Sequence, residues 1–433
     1  MQDLLTAVRE SRAWACYDCG KCTAACPIAR IGGSLSPRRH VLKANSGQQK
    51  EILQNGTLFS CLTCRMCDQR CPATVAYTDL IQKLRALAFR GGVEPECPHG
   101  GALQSLMRMM AKGETHQDRL RWLSPDLKSD PEKGEVFYWT GCNVYYDAFF
   151  SDFPVATLKG TKAAVGLMNK LGVVPVVSAD ERCCGHDLLW NGDRKHFELL
   201  AQHNVKLLEA SGAQTLVTSC AECLRTWKID YEPFFSSKPP RMLHISEFLA
   251  EHLQELKNLL ETRSRRREEA DSPSTPDGNI DLFTSTAAPS PQVRTGSALE
   301  SKTPTSVTFQ DPCRLGRHLG IYDPPRQVLS VLPGIKLAEM RNRAGAALCC
   351  AGGTWSNCDR FAKQIQVERL REARATGASV LVTACPKCQI HFRCAMKDPR
   401  LRGETEIEMK DVSEVVAEAI AQAFEKQVRE SCE

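Results

Sequence analysis

Two runs of C-x2-C-x2-C-x3-C-P constrain this chain more than any other feature of its sequence. Cys16, Cys19, Cys22 and Cys26 precede Pro27; Cys61, Cys64, Cys67 and Cys71 precede Pro72. Three thiolates at this spacing wrap one cubane iron–sulfur cluster, and the fourth serves the other cluster of a pair. The pattern therefore predicts Cys16, Cys19, Cys22 and Cys71 on a first [4Fe-4S] cluster and Cys61, Cys64, Cys67 and Cys26 on a second. Zinc ribbons use paired C-x2-C units, not triple runs ending in Cys-Pro, which disfavours zinc here. Such closed sites suit electron relay. The 34 residues between Cys26 and Cys61 exceed what a compact ferredoxin needs and predict a helical di-cluster domain.

Ten more of the 22 cysteines form two copies of a looser pattern. The first copy is Cys142, Cys183-Cys184-Gly185, then Cys220-Ala-Glu-Cys223. The second is Cys313, Cys349-Cys350, then Cys385-Pro-Lys-Cys388. In the two copies 35 and 34 residues separate the pair from its C-x2-C. Each unit gathers five thiols, one more than a cubane or a tetrahedral zinc needs. The surplus points to an irregular cluster with an accessible iron, able to capture a substrate sulfur and supply single electrons. Structural zinc in one unit, a vicinal disulfide and a redox dithiol are the alternatives.

The cysteine-rich copies sit in a repeated α/β frame. Residues 211–223, Ser-Gly-Ala-Gln-Thr-Leu-Val-Thr-Ser-Cys-Ala-Glu-Cys, match Thr-Gly-Ala-Ser-Val-Leu-Val-Thr-Ala-Cys-Pro-Lys-Cys at 376–388. Each copy reads as a helix, a Gly-Ala break, a buried strand, and C-x2-C just past the strand end, where open α/β sheets bind ligands. Strands are expected at 136–140, 173–177 and 215–218, and helices at 161–171 and 196–210. Farther upstream, Ser36-Pro37 is a good N-cap and N1 pair, and a helix is expected from Thr78 to Arg90. The predicted fold is α/β and α: a helical di-[4Fe-4S] ferredoxin-like domain (1–110), a polar connector (111–134), a first cysteine-rich lobe (135–262), a flexible Ser/Pro-rich linker (263–305) and a second lobe (306–433). The two lobes are expected to face each other across a pseudo-two-fold axis, with a cleft between them.

Bulk properties exclude several alternatives. A net charge of +5 gives no reason to invoke nucleic acid. No stretch approaches the roughly 18 apolar residues of a membrane span. The start Met-Gln-Asp-Leu-Leu lacks the pattern of a secretory signal. Cysteine richness in a long chain without an export signal reads as reduced metal ligands, hence a cytoplasmic and anaerobic setting, peripheral to a membrane only through a partner. No G-x-G-x-x-G nucleotide motif is present, so two-electron donors are left to a partner.

Gly141-Cys142, Cys183-Cys184-Gly185, Thr218-Ser-Cys-Ala-Glu-Cys223, Asp311-Pro-Cys-Arg-Leu-Gly-Arg-His318 and Thr383-Ala-Cys-Pro-Lys-Cys388 resemble the cysteine-rich "CCG" domains. Behind a di-cluster ferredoxin domain, the whole resembles the D-type subunit of heterodisulfide reductase, equivalent to fused C-type and B-type chains. The resemblance implies non-cubane [4Fe-4S] clusters on the ten thiols of the two five-thiol units. It also implies an oxidoreductase subunit that passes electrons to a disulfide of thiol coenzymes in the cleft. The implied partners are a flavoprotein, a ferredoxin-linked subunit or a membrane cytochrome, with a small thiol or disulfide as substrate. The same domain set also serves as a non-catalytic conduit beside flavoprotein dehydrogenases and in anaerobic reductase complexes. The second unit departs from the family pattern, because Cys349-Cys350 is followed by Ala351.

His186 and His318 are candidate proton donors to a leaving thiolate, against the blander reading of ordinary part-buried histidines. Asp311, Arg314 and Arg317 are candidates for binding an anionic substrate, or for shaping the turn before Cys313. Cys97, Cys358, Cys394 and Cys432 fall outside all four patterns and read as structural.

Overall fold

The computed structural model describes residues 3–113, 117–152, 154–261, 305–356 and 358–430. The expected linker lies outside the described residues except for Thr305, and Cys432 lies outside them too.

The amino-terminal part is helical. Asp3 caps Leu4–Glu10 by accepting from the Thr6 amide at 2.7 Å. Ser36 caps Pro37–Asn45 by accepting from the Arg39 amide, with Pro37 in the first turn. Tyr77–Arg90 follows and stops at Gly91. Leu80, Ile81 and Leu84 on its inner face join Leu4, Ile28, Val41 and Ile52 in one core. Leu-Ile and Leu-Leu at three- and four-residue spacing make that face apolar.

Each lobe is a parallel sheet. The first has the order β1 (Val136–Trp139), β2 (Thr215–Thr218), β3 (Arg241–His244), with Trp139, Thr218 and His244 in register. The second comprises β4 (Thr305–Gln310), β5 (Ile335–Leu337), β6 (Val380–Thr383) and β7 (Glu408–Asp411), in the order β5-β4-β6-β7. Gln310, Thr383 and Asp411 are in register there. Short apolar runs such as Val-Phe-Tyr-Trp and Val-Leu-Val-Thr suit sheets buried on both faces. The strand expected at 173–177 is reduced to bridges from Val176 to Asp130 and Phe137. Pro175 has no amide to extend the ladder. The helices Thr157–Lys170 and Arg194–Ser211 lie between the first two strands of this lobe in the chain, where helices at 161–171 and 196–210 are expected.

Reciprocal helix contacts join the lobes. Thr157–Lys170 of the first packs on Val412–Glu430 of the second, and Ile245–Glu251 of the first packs on Asp323–Ser330 of the second. In each pair a helix that follows a lobe's single Cys meets the helix that follows the other lobe's last strand, which is a pseudo-two-fold arrangement. Gly160 permits the approach: a Cβ there would lie 2.8 Å from the Cβ of Asp411. One apolar core runs through both lobes. The amino-terminal core instead extends into the second lobe, taking in Cys349, Ala351, Ala362 and Ile365. Among the described residues no helix is long and apolar enough to cross a membrane.

Candidate metal centres

Cys16, Cys19, Cys22 and Cys71 line one cavity, together with Tyr17, Gly20, Arg38 and Cys67. Cys26, Cys61, Cys64 and Cys67 line another. The two loops fold alike. Asp18 and Gly20 take φ of 57° and 76°, and their counterparts Thr63 and Arg65 take 50° and 61°. Left-handed backbone at non-glycine residues costs on the order of 1 kcal/mol each and persists where surroundings over-determine it. Here it turns amides onto sulfur: Asp18 donates to Cys16 Sγ at 3.4 Å, Thr63 to Cys61 Sγ at 3.3 Å and Val75 to Cys71 Sγ at 3.3 Å. Burial pushes the Cys26 thiol up to about 12 and the Cys61 thiol up to about 11. Thiols held that way shed their protons readily only to a metal. All-sulfur donor sets with amide bonds to sulfur fit iron–sulfur clusters. Cys19 is exposed, whereas Cys26, Cys61, Cys64 and Cys67 are buried, so the first group faces the surface and the second the interior.

The two five-thiol units have the same internal order. In the first, Cys142 Sγ lies 3.3 Å from Cys183 Sγ, and Cys223 Sγ 3.4 Å from Cys184 Sγ. In the second, Cys313 adjoins Cys349, and Cys350 adjoins Cys388. Gly141 (φ 64°) is needed for closeness, since a Cβ would lie 2.9 Å from Cys223 Sγ. The residue after each cysteine pair is left-handed: Gly185 has φ of 71° and Ala351 of 54°. Ala351 thus reproduces the glycine geometry in spite of its Cβ.

Long-range ion pairs hold the single cysteines. Glu181 accepts from the Thr140 and Gly141 amides at 3.1 and 2.5 Å and pairs with Arg119 at 2.9 Å. Arg119 in turn donates to the Gly141 carbonyl at 2.7 Å, so the pair fixes the loop that carries Cys142. In the second lobe Asp311 pairs with Arg326 and accepts from the Ala344 amide at 2.8 Å. Arg119, Glu181 and Arg326 were not singled out from sequence. The only sequence signal is an acid two residues ahead of Cys183, which is indistinguishable from a surface charge.

The four groups abut in a fixed order. Cys67 lines both amino-terminal cavities. Cys64 lies beside Cys349 of the second unit, and Cys385 of that unit lies beside Cys220 of the first. The sulfurs therefore run from the exposed Cys19 side through the second amino-terminal group and the second unit to the first unit.

At the lobe junction the inner residues of both C-x2-C motifs meet. Lys387 Nζ lies 2.5 Å from Asp187 and 2.6 Å from Glu222, and His186 Nδ1 lies 3.0 Å from Asp187. Burial alone would push Lys387 down, but the two carboxylates more than offset it and hold its proton. His186, Asp187 and Glu222 are close enough to ligate a cation. The Lys387 ammonium already sits between the two carboxylates.

Arg314, Arg317 and His318 face the amino-terminal part. Arg314 donates to the Thr63 carbonyl at 3.0 Å and hydroxyl at 2.7 Å, and stacks 4.3 Å from the Trp190 ring. Arg317 donates to the Cys64 and Ala347 carbonyls at 2.6 Å. His318 lies 2.9 Å from the Thr63 carbonyl. These side chains clamp the Cys61–Cys64 loop to the second lobe, and Arg314 also lines a cavity with Cys313, Cys349, Cys350 and Cys385. Arg85 completes the clamp, donating to Cys61 at 2.7 Å and Trp190 at 3.0 Å, both through carbonyls. Cys97 and Cys394 are half-buried and Cys358 is exposed; Cys394 accepts from Lys363 at 2.8 Å.

Comparison with known proteins agrees with this anatomy. Residues 12–75 match the 4Fe-4S dicluster domain, and residues 136–228 and 307–393 each match the cysteine-rich domain. The D-type subunit of dihydromethanophenazine:CoB–CoM heterodisulfide reductase from Methanosarcina acetivorans is 28% identical over 97% of both chains. The Methanosarcina barkeri protein of the same description is 28% identical over 96% of both. The B-type subunit of fumarate reductase (CoM/CoB) from Methanothermobacter marburgensis is 24% identical over 88% of this chain and 68% of its own. The chain is therefore an iron–sulfur protein with one 4Fe-4S dicluster domain followed by two cysteine-rich domains, similar over nearly its whole length to the D-type subunit of heterodisulfide reductase.

Proposed function

We propose that this chain carries electrons from the Cys16–Cys22 loop, through the buried Cys61–Cys67 group, into the second and then the first cysteine-rich unit, and reduces a disulfide held between the lobes. The observation that carries this is the unbroken order of thiol groups, with Cys64 beside Cys349 and Cys385 beside Cys220. In this reading Cys16, Cys19, Cys22 and Cys71 hold one cubane and Cys26, Cys61, Cys64 and Cys67 the other. The five thiols of each lobe hold a non-cubane cluster. Bound clusters supply single electrons, and two such units flanking one S–S bond match its need for two. The balance is one disulfide, two electrons and two protons giving two thiols. Lys387 bridges Asp187 and Glu222 and so joins the two C-x2-C motifs, and Lys387, with His186 beside it at Asp187, is the group placed to return a proton to a leaving thiolate. His318 is withdrawn from that role by its place at the Thr63 carbonyl. A cytoplasmic setting, with a flavoprotein, a ferredoxin or a membrane cytochrome as redox neighbour, belongs to the same proposal.

Fully loaded protein should oxidise reduced methyl viologen when given 2-hydroxyethyl disulfide. Cys220→Ser and Cys385→Ser should each slow turnover at least tenfold while viologen still reduces the amino-terminal centres. Full cluster content with no turnover on disulfides would contradict the enzyme reading. It would favour the second one, an electron conduit, to which the burial of both Cys220 and Cys385 lends support.

A further inference from the structure

The three most exposed large apolar side chains among the described residues are Leu5 (76%), Tyr17 (73%) and Trp14 (64%). All three lie within one thirteen-residue stretch, and Trp14 and Tyr17 flank Cys16 in the chain. Tyr17 stands between Cys16 and Cys19 and lines their cavity. Trp14 sits in the turn Ala13–Ala15 just before Cys16, and both Leu4–Glu10 and Pro37–Asn45 pack on that turn. Scattered exposed apolar residues need no explanation, but a cluster with aromatic members marks a contact surface.

The charge around the cluster is one-sided. Asp3 is spent on its helix cap, Glu10 is bonded by Lys83 at 2.5 Å, and Asp18 is bonded by Arg38. Arg9, Arg12, Lys21 and Arg39 are exposed, and none has an ion pair among the described residues. The three acids each have a partner while four cations have no ion pair among the described residues, in the segments that carry the exposed Cys19 and its neighbours.

We infer that the Leu5–Trp14–Tyr17 face, rimmed by Arg9, Arg12, Lys21 and Arg39, is the docking surface for an acidic one-electron carrier protein. The inference rests on the electron-transfer reading of the amino-terminal cysteines and adds the surface and charge of the partner. Each encounter moves one electron: the carrier is oxidised by one as the outer centre is reduced by one, with no bond or proton transferred. Opposite charge steers the encounter and makes its rate fall with salt. A membrane surface would also attract cations with aromatics, but it supplies no electron to the thiol group that Tyr17 flanks.

The test uses the loaded full-length chain, a reduced ferredoxin of strongly negative net charge, and reduced methyl viologen as a small donor that needs no docking. The variants are the triple R9E/R12E/R39E and, separately, Trp14→Ser. Stopped-flow rates with ferredoxin should fall at least tenfold in the triple variant and at least threefold in Trp14→Ser. Rates with viologen should stay within twofold, which also shows that the variants fold and hold clusters. Calorimetric binding of oxidised ferredoxin at low salt should weaken at least tenfold in the triple variant. Unchanged ferredoxin rates and binding would overturn the surface. Ferredoxin and viologen rates falling together would overturn it as well. Cosedimentation of the chain with phosphatidylglycerol vesicles that the triple variant abolishes, with ferredoxin rates unchanged, would assign the face to lipid instead. Failure of viologen to reduce wild-type protein would overturn the electron-transfer reading itself, and the inference with it.

Discussion

Ala351 occupies a left-handed conformation that its counterpart Gly185 adopts freely. The two positions should respond unequally to exchange. Gly185→Ala places a Cβ 3.0 Å from Phe197 and 3.2 Å from Leu200, so it should cost about 1–3 kcal/mol in denaturant unfolding. Ala351→Gly should change stability by less than about 1 kcal/mol, because relief of strain is offset by a freer unfolded chain. Lys387→Met strands two buried carboxylates and should cost about 3–5 kcal/mol, far more than a surface lysine would. His40 supplies a pH test. Buried between Tyr77 and Thr57, it is pushed down to about 4 by burial first and by Lys43 and Arg85 after. The unfolded chain takes up a proton near 6.5 and the folded one only near 4, so stability is full above pH 6.5 and falls as pH drops toward 4. The loss should reach about 3 kcal/mol, and His40→Gln should flatten that part of the pH–stability curve. At this scale the thiol positions were legible because metal chemistry fixes both residue type and spacing. Glu181 with Arg119, and Lys387 with Asp187, were not, because each pairing spans scores of residues and looks like ordinary surface charge until the chain folds.

At the scale of elements, periodicity read well where one strand or helix decides its own burial. Val136–Trp139, Thr215–Thr218 and Tyr77–Arg90 fall where apolar runs and caps put them. The 173–177 run failed because Pro175 removes the amide that a ladder needs, a local fact that apolar content outweighed. Helix pairing between lobes was legible only as a repeat; which helix meets which depends on contacts such as Gly160 against Asp411. Gly192 makes the corresponding joint to the amino-terminal part: it has φ of 97°, and a Cβ would fall against the Arg85 backbone carbonyl. Gly192→Ala should therefore destabilise by more than about 2 kcal/mol and raise proteolysis between the first lobe and the Tyr77–Arg90 helix.

For the whole molecule, the repeat and the crossed cysteine runs could be read from sequence, but not the side on which the amino-terminal part docks. Arg314 and Arg317 decide that by clamping the Cys61–Cys64 loop against the second lobe, while Arg85 ties the same loop to Trp190 of the first. If electrons follow the thiol order, Cys313→Ser should block reduction of the first unit while both amino-terminal centres still reduce, as anaerobic titration followed by electron paramagnetic resonance would show. All of this requires iron on every cysteine group. Iron and zinc analysis of anaerobically prepared chain tests that most directly: four clusters of four irons predict about sixteen iron atoms per chain and no stoichiometric zinc. About eight iron atoms with two zinc would contradict the account and make the paired lobes a scaffold around zinc.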